Sequence, residues 1–256
     1  MSVSRSKALN QAGSPIASVI VPAYREEEFI EATLAGIVEE FRSAKLSLEV
    51  IVVVDIVAGD STTSHIRNVA NAYPEIRLIE RHGRRGVGDA IRTGILEAKG
   101  QVVIPVMGDQ SERPSDIIRL VKKAGCCDVV FTNRFKHGRP AGYPVMKYVT
   151  NRGCNMVAML LFHIPYSDIT NAFKAYKKEL LNQVDLSSNG FEIFLEMPIR
   201  VMTLNTFETS EIETGHIVRK KRAPKLSVIR EGWRYARVLV LLRLRLSRKE
   251  SEEKAR

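Results

Sequence analysis

Cysteine, histidine and tryptophan are scarce in this chain, at three, five and one residues in 256. Three cysteines, Cys126, Cys127 and Cys154, do not make a disulfide framework, and no Cys/His spacing matches a zinc site. A reducing compartment is therefore the default expectation. Long apolar runs are also missing. A membrane-spanning helix needs about 18 uncharged apolar residues. Segment 154–166 is too short, and 235–246 is interrupted by Arg237, Arg243 and Arg245. Residues 1–17 have no apolar stretch of the secretory type, so no leader is predicted. Acidic side chains are nearly absent from 219–249, which holds twelve Lys/Arg against the single Glu231. That one segment exceeds the whole chain's net charge of +10, so the remainder is close to neutral. A neutral body with a basic end predicts a local anionic partner: phosphate, lipid headgroups or nucleic acid.

What is present is a regular alternation. Residues 17–23, 48–55, 75–80, 101–107 and 129–132 are short apolar runs of strand type. Between them, 26–41, 62–72, 86–98 and 114–123 carry helical periodicity. The second run is apolar on both faces, as a central parallel strand is. The β-α-β-α order predicts an α/β fold with a mostly parallel sheet covered by helices. Further on, 145–162, 191–202 and 227–248 read as helices, with Pro198 a kink or boundary in the second. Residues 206–214 alternate as an edge strand does. The expected organisation is a disordered 1–15, a catalytic domain over 16–226, a basic amphipathic helix over 227–249 and a tail over 250–256.

Several apolar runs stop abruptly at polar residues suited to a nucleotide. Pro22-Ala-Tyr-Arg-Glu-Glu27 follows the first. A carboxylate at a strand end binds ribose hydroxyls and Tyr24 offers a face for a base; a helix N-terminus rich in acids is the alternative. Asp55 ends the second run, and Asp60-Ser61 beyond it suits a helix cap. His82 to Ala90 is a glycine-rich helix entry whose free N–H groups favour an anion. Met107-Gly-Asp-Gln-Ser-Glu112 follows the fourth run, with Asp109, Ser111 and Glu112 as oxygen donors for a hard cation. A solvated turn acid is the alternative for Glu112.

Together these motifs resemble the donor site of family 2 glycosyltransferases, whose fold is GT-A, a Rossmann-like mostly parallel sheet flanked by helices. The resemblance implies a base and ribose pocket from Pro22, Tyr24, Glu26 and Asp55. It implies a phosphate-binding turn at Arg85 and Gly86. Asp109 matches the second Asp of the family's Asp-x-Asp motif, where a divalent metal, Mg²⁺ or Mn²⁺, bridges the donor diphosphate. Met107 replaces the first Asp, which puts metal dependence in question. The second half resembles the branch that glycosylates dolichyl and polyprenyl phosphates. Thr132-Asn-Arg-Phe135, Asn151-Arg-Gly-Cys-Asn155, Ser167 to Tyr176, Gly190 to Met197 and Arg219 to Leu226 each match a motif of that branch. In the fourth match Glu196 takes the motif's Glu position; in the third, Lys174 stands where the motif has Arg. The implied acceptor-phosphate residues are Arg134, Arg152, Arg219 and Lys225, with Asp109, Arg134 and Arg152 catalytic.

The implied activity is inverting transfer of a hexose, of mannose or glucose type, from a GDP- or UDP-linked donor to a polyprenyl or dolichyl phosphate. A phosphate monoester has a second pKa near 6 and is a ready nucleophile at neutral pH, so no strong base is required. That suits a chain rich in cations whose histidines are isolated. The final helix places Arg230, Arg234, Arg237, Arg245 and Arg248 within about a quarter of its circumference. An apolar face of Tyr235, Val238, Leu239, Leu242 and Leu246 lies beside them. Such a helix binds an anionic membrane surface or packs on the domain with snorkelling arginines. The first reading predicts a peripheral protein at the cytoplasmic membrane face. Rival readings are a glycan or small-molecule acceptor, and a donor-binding protein with impaired turnover. Nucleic acid is not an expected partner, because 219–249 has few aromatics to stack on bases.

Overall fold

The protein's computed structural model describes residues 14–57, 59–83, 86–204, 207–215, 217 and 228–254. Its elements run β1 (Ala17–Ala23), α1 (Ile30–Ser43), β2 (Leu48–Ile56), α2 (Thr62–Ala72), β3 (Ile76–His82), α3 (Val87–Glu97), β4 (Val102–Pro105) and α4 (Pro114–Ala124). These are followed by β5 (Val129–Asn133), α5 (Val145–Phe162), β6 (Ala175–Lys177), α6 (Lys178–Leu181), α7 (Ile193–Met202), β7 (Thr209–Glu213) and α8 (Val228–Lys254).

The seven strands form one sheet in the order β3-β2-β1-β4-β6-β5-β7. All ladders are parallel except those of β6, which runs antiparallel to both β4 and β5. Successive strands grow outward from β1 in opposite directions, to β2 on one side and β4 on the other. This makes a switch point, and the crevice beyond the carboxyl ends of β1, β2 and β4 is where an open α/β sheet takes its ligand. The central strands are apolar throughout because helices cover both faces. One core layer packs Leu34, Phe41, Ile66, Ile117 and Val121 under the sheet. The other packs Ile91, Ile95, Phe131, Phe194 and Met197.

Three differences from the sequence reading have physical causes. Helix α1 starts at Ile30, not at residue 26, because Arg25 takes a left-handed φ of 54° and the Glu26 N–H bonds the Thr62 hydroxyl at 2.8 Å. Pro198 neither ends nor bounds α7, which continues to Met202. Strand β6 went unread because it is three residues long, and its place comes from its neighbours rather than its pattern.

A third apolar cluster joins Ala158 of α5, Leu195 and Ile199 of α7, and Leu239 and Leu242 of α8. Tyr235 and Val238 pack against the same cluster. The apolar face of the final helix therefore rests on the domain, the packing alternative of the sequence reading, and leaves its other faces for a membrane surface. Among the described side chains of α8, Trp233, Val240, Leu241 and Leu244 are exposed on other faces, as are Arg234, Arg237 and Arg245. Arg230 and Arg248 lie outside the described side chains. No helix among the described residues is long and apolar enough to cross a membrane.

Candidate active site

The donor-type motifs converge on the crevice. Pro22 closes β1, and Tyr24 and Glu26 form the turn beyond it. Glu26 is buried, and the Arg25 guanidinium lies 5.6 Å from the Tyr24 ring centroid. Asp60 holds this turn from below, accepting from the Arg25 N–H at 3.0 Å and the Thr62 N–H at 3.0 Å. It thus ties the first turn to the start of α2, whose N-cap, Ser61, makes no side-chain cap bond. The turn after β4 packs directly against the first motif. The Thr33 hydroxyl donates to the Gly108 carbonyl at 3.1 Å, and a Cβ at Gly108 would touch the Glu26 side chain.

Asp55 is buried at the end of β2. Its Oδ1 accepts from the Arg81 guanidinium and its Oδ2 from the Gly86 N–H at 3.1 Å. Arg81, itself buried, reaches on to Asp89 at 2.7 Å and to the Gly86 carbonyl. Asp55 thereby holds the glycine turn in place, and each carboxylate oxygen keeps lone-pair capacity for a base N–H. Gly86 adopts φ 98°, open to glycine, and a Cβ on Gly86 or Gly88 would strike the backbone of 188–189. That backbone is held by Glu196, whose carboxylate accepts from the Ser187 and Ser188 N–H groups and from Arg200. Glu196 therefore acts as a loop anchor behind the glycine turn. Arg85, Arg219 and Lys225 lie outside the described residues.

The metal motif is half-formed. Met107 packs against the core as a partly buried side chain, so this position is a packing residue. Asp109 follows it, its Oδ1 accepting from the Ser111 N–H at 3.0 Å. Glu112 Oε2 is buried with no hydrogen-bond partner. Burial, and then the charge of Asp109, push the Glu112 carboxyl up to about 8. An orphaned buried oxygen beside a second carboxylate fits a hard cation. Among the described residues no three His, Cys, Asp or Glu side chains converge. Asp109 and Glu112 would therefore supply the protein's carboxylate ligands, and phosphate and water oxygens the rest.

This geometry predicts a pH effect. The folded pKa of Glu112 stands above its ordinary 4.5, so its contribution to stability is complete at low pH and is lost as pH rises through about 8. The metal-free protein is expected to lose stability over that window. Glu112→Gln is expected to remove this part of the loss, and Mn²⁺ to flatten it, in thermal melts with and without EDTA.

Across the crevice, two predicted arginines meet on one turn. Arg134, just past β5, clamps Asp168 through Nε at 2.9 Å and NH2 at 2.8 Å, and its N–H adds a third bond at 3.0 Å. Burial opposes the charge of Arg134, but Asp168 more than offsets it and holds its pKa above the ordinary value. Arg152, on α5, donates to the neighbouring Ser167 carbonyl at 3.0 Å. Asn155 and Asn151 pin the same turn through the Thr170 N–H and hydroxyl. A cavity of about 180 Å³ opens beside Arg134, lined also by Lys136, His137, Arg139, Glu213 and Thr214.

Sequence reasoning missed Lys147, on the first turn of α5. It is an exposed residue, so its neighbours are the informative part. Its ammonium lies 5.3 Å from the Tyr143 ring centroid. Arg134 and Asp109 are the charged groups within electrostatic range of it.

The family model for glycosyl transferase family 2 matches residues 18–185. The chain belongs to glycosyl transferase family 2. Its fold is GT-A. It is 30% identical over 190 residues to a dolichol-phosphate mannosyltransferase of Pyrococcus furiosus, covering 72% of this chain and 52% of the relative. This chain thus spans about half the length of that family 2 relative. It is 26% identical over 218 residues to the polyprenol monophosphomannose synthase of Mycolicibacterium smegmatis, covering 82% and 80% of the two chains. The crystal structure of glucosyl-3-phosphoglycerate synthase from Mycobacterium tuberculosis, in complex with Mn²⁺, UDP and phosphoglyceric acid, superposes with a TM-score of 0.67 at 17% identity. It covers 91% of this chain and 79% of that one, a likeness of fold.

Proposed function

We propose that the protein transfers a hexose, of mannose or glucose type, from a GDP- or UDP-linked donor to the phosphate of a polyprenyl or dolichyl chain at an anionic membrane surface. The observation that carries this reading is the adjacency of a cationic pocket and an exposed apolar stripe. On α5, Val145, Met146, Val149, Met156, Val157 and Leu160 are all exposed. At 100° per residue they span about a third of the helix circumference. The same helix carries Lys147 and Arg152. An acceptor that is a phosphate at one end and hydrocarbon along its length matches that pairing. The names of the Pyrococcus and Mycolicibacterium relatives point the same way.

The chemistry follows from the groups present. The acceptor phosphate, dianionic above its second pKa of about 6, attacks the anomeric carbon from the side opposite the nucleotide. The new C–O bond forms as the bond to the diphosphate breaks, and the configuration inverts. Arg134, Arg152 and Lys147 orient the phosphate, and Arg219 and Lys225 complete the cationic set. Asp109 and Glu112 would hold a divalent cation that neutralises the departing diphosphate. The donor's base and ribose lie against Pro22, Tyr24, Glu26 and Asp55, with Arg85 and Gly86 at the phosphates. The test is a panel of GDP-mannose, UDP-glucose and related donors with farnesyl or undecaprenyl phosphate, with and without EDTA, reading lipid-linked sugar by mass spectrometry. Transfer to a soluble acceptor such as phosphoglycerate, and none to a prenyl phosphate, overturns the lipid assignment.

The α5 stripe makes a second prediction. Met146→Ser combined with Leu160→Ser is expected to weaken vesicle binding by more than about tenfold, since each inserted apolar side chain contributes about 1.5–3 kcal/mol. Charge on α8 adds about 1 kcal/mol per basic residue near the surface. Added salt should therefore weaken the α8 contribution and leave the α5 contribution intact. Co-sedimentation with anionic vesicles at two salt concentrations separates the two. Unchanged binding by the double variant would show that α5 does not face the bilayer.

A further inference from the structure

Lys174 is fully buried immediately before β6. Its ammonium donates to the Asn171 carbonyl and lies 6.0 Å from the Phe131 ring centroid. Two charges face it. Asp168, on the turn that Asn171 closes, favours its protonation, and Arg134, beyond β5, opposes it. The Asp168 side chain is fully buried, with both carboxylate oxygens on Arg134. A guanidinium paired so closely with a carboxylate is, for any third group, nearer a dipole than a cation. Arg134 alone with Asp168 would thus be a weak partner for a phosphate. A second cation within electrostatic range of the carboxylate restores the missing charge.

We propose that Asp168 and Lys174 are positioning residues for Arg134: the carboxylate fixes the direction of the guanidinium, and the buried ammonium offsets the carboxylate, so that Arg134 meets an acceptor phosphate as a full cation. The proposal rests on the acceptor assignment of the preceding subsection. It also gives meaning to a lysine where the matching motif has an arginine. An arginine keeps its charge at every accessible pH, whereas a lysine can lose it. Burial, reinforced by Arg134 and opposed by Asp168, brings Lys174 down to about 7. An arriving phosphate dianion favours the protonated form, so acceptor binding takes up a proton, and acceptor affinity falls as pH rises above neutrality.

The experiment compares full-length wild type, Lys174→Met and Lys174→Arg, with farnesyl phosphate as acceptor, between pH 6.5 and 9. Lys174→Met is expected to raise the acceptor KM by about tenfold, with kcat and donor KM within about twofold. Lys174→Arg is expected to restore the low acceptor KM and to flatten its rise with pH. Glu112, raised to about 8 beside Asp109 and Arg134, titrates in the same window. It does so in wild type and Lys174→Arg alike, so the difference between those two profiles belongs to position 174. Superimposable profiles, or a wild-type acceptor KM in Lys174→Met, overturn the proposal. If Lys174→Met does not fold, the wild-type and Lys174→Arg profiles decide alone. If wild type transfers to no prenyl phosphate, the acceptor assignment fails, and calorimetry with phenyl phosphate in buffers of different ionisation enthalpy still decides this one. Proton uptake in wild type that is absent from Lys174→Arg supports it. No uptake, or no binding, overturns it.

Discussion

Asp109→Ala is expected to lower the transfer rate by about a hundred- to a thousandfold, the scale of losing one preorganised electrostatic partner of a developing charge, while the melting temperature holds or rises. Asp109 sits on the turn beyond β4, where the position two residues earlier carries Met107, a side chain committed to core packing. The carboxylates left for a cation or a departing diphosphate are then Asp109 and Glu112. Removing Asp109 also removes a charge that resists ionisation of Glu112, so the fold gains where the chemistry loses. Single-turnover transfer and thermal melts on the same preparation check both halves. A rate within threefold of wild type would sink the assignment of this turn to the leaving group. In the reverse direction, Met107→Asp is expected to gain metal affinity only at some cost in packing.

Arg81→Met is expected to destabilise the protein by about 3–5 kcal/mol, as breaking a buried ion pair from one side does. It is also expected to raise the donor KM. Arg81 is the buried tie between Asp55, Asp89 and the Gly86 carbonyl. Without it, the Asp55 carboxylate stays buried with the Gly86 N–H and loses its counter-charge, and the glycine turn loses the bond to its Gly86 carbonyl. Urea unfolding measures the first effect and donor titration the second. Pairing it with Asp55→Asn should recover part of the lost stability, because the uncompensated carboxylate is then gone. A loss below 1 kcal/mol would show that solvent reaches this pair.

The strands at the centre of the sheet were legible because both faces are buried: β1 and β2 are nearly unbroken apolar runs, which few other structures require. The convergence of the polar motifs on one crevice was legible for the same reason, since polar residues that end such runs are forced to the carboxyl edge. The buried cations were not. Arg81 answers an aspartate 26 residues away and Lys174 one six residues away across a turn, and neither spacing is a pattern of any regular element. A lysine inside Ala172-Phe-Lys-Ala-Tyr176, an otherwise apolar stretch, was the visible hint. The final helix shows a different limit. Its two faces follow from periodicity, but periodicity does not say what covers each, and the face of Leu239 and Leu242 turned out to be occupied by α5 and α7.

Strand order also sets a schedule for biogenesis. Strand β4 has one neighbour, β1, that precedes it, while its other neighbour, β6, is encoded about 70 residues later. At roughly 5–20 residues per second of synthesis, the nascent chain carries an open, fully apolar strand edge for several seconds before Ala175–Lys177 can close it. Unpaired edges of this kind template association with other chains. The ribosome-bound intermediate is thus the form of this protein most in need of a chaperone, and fragments ending before residue 178 should accumulate as aggregates, even though every donor motif lies within them.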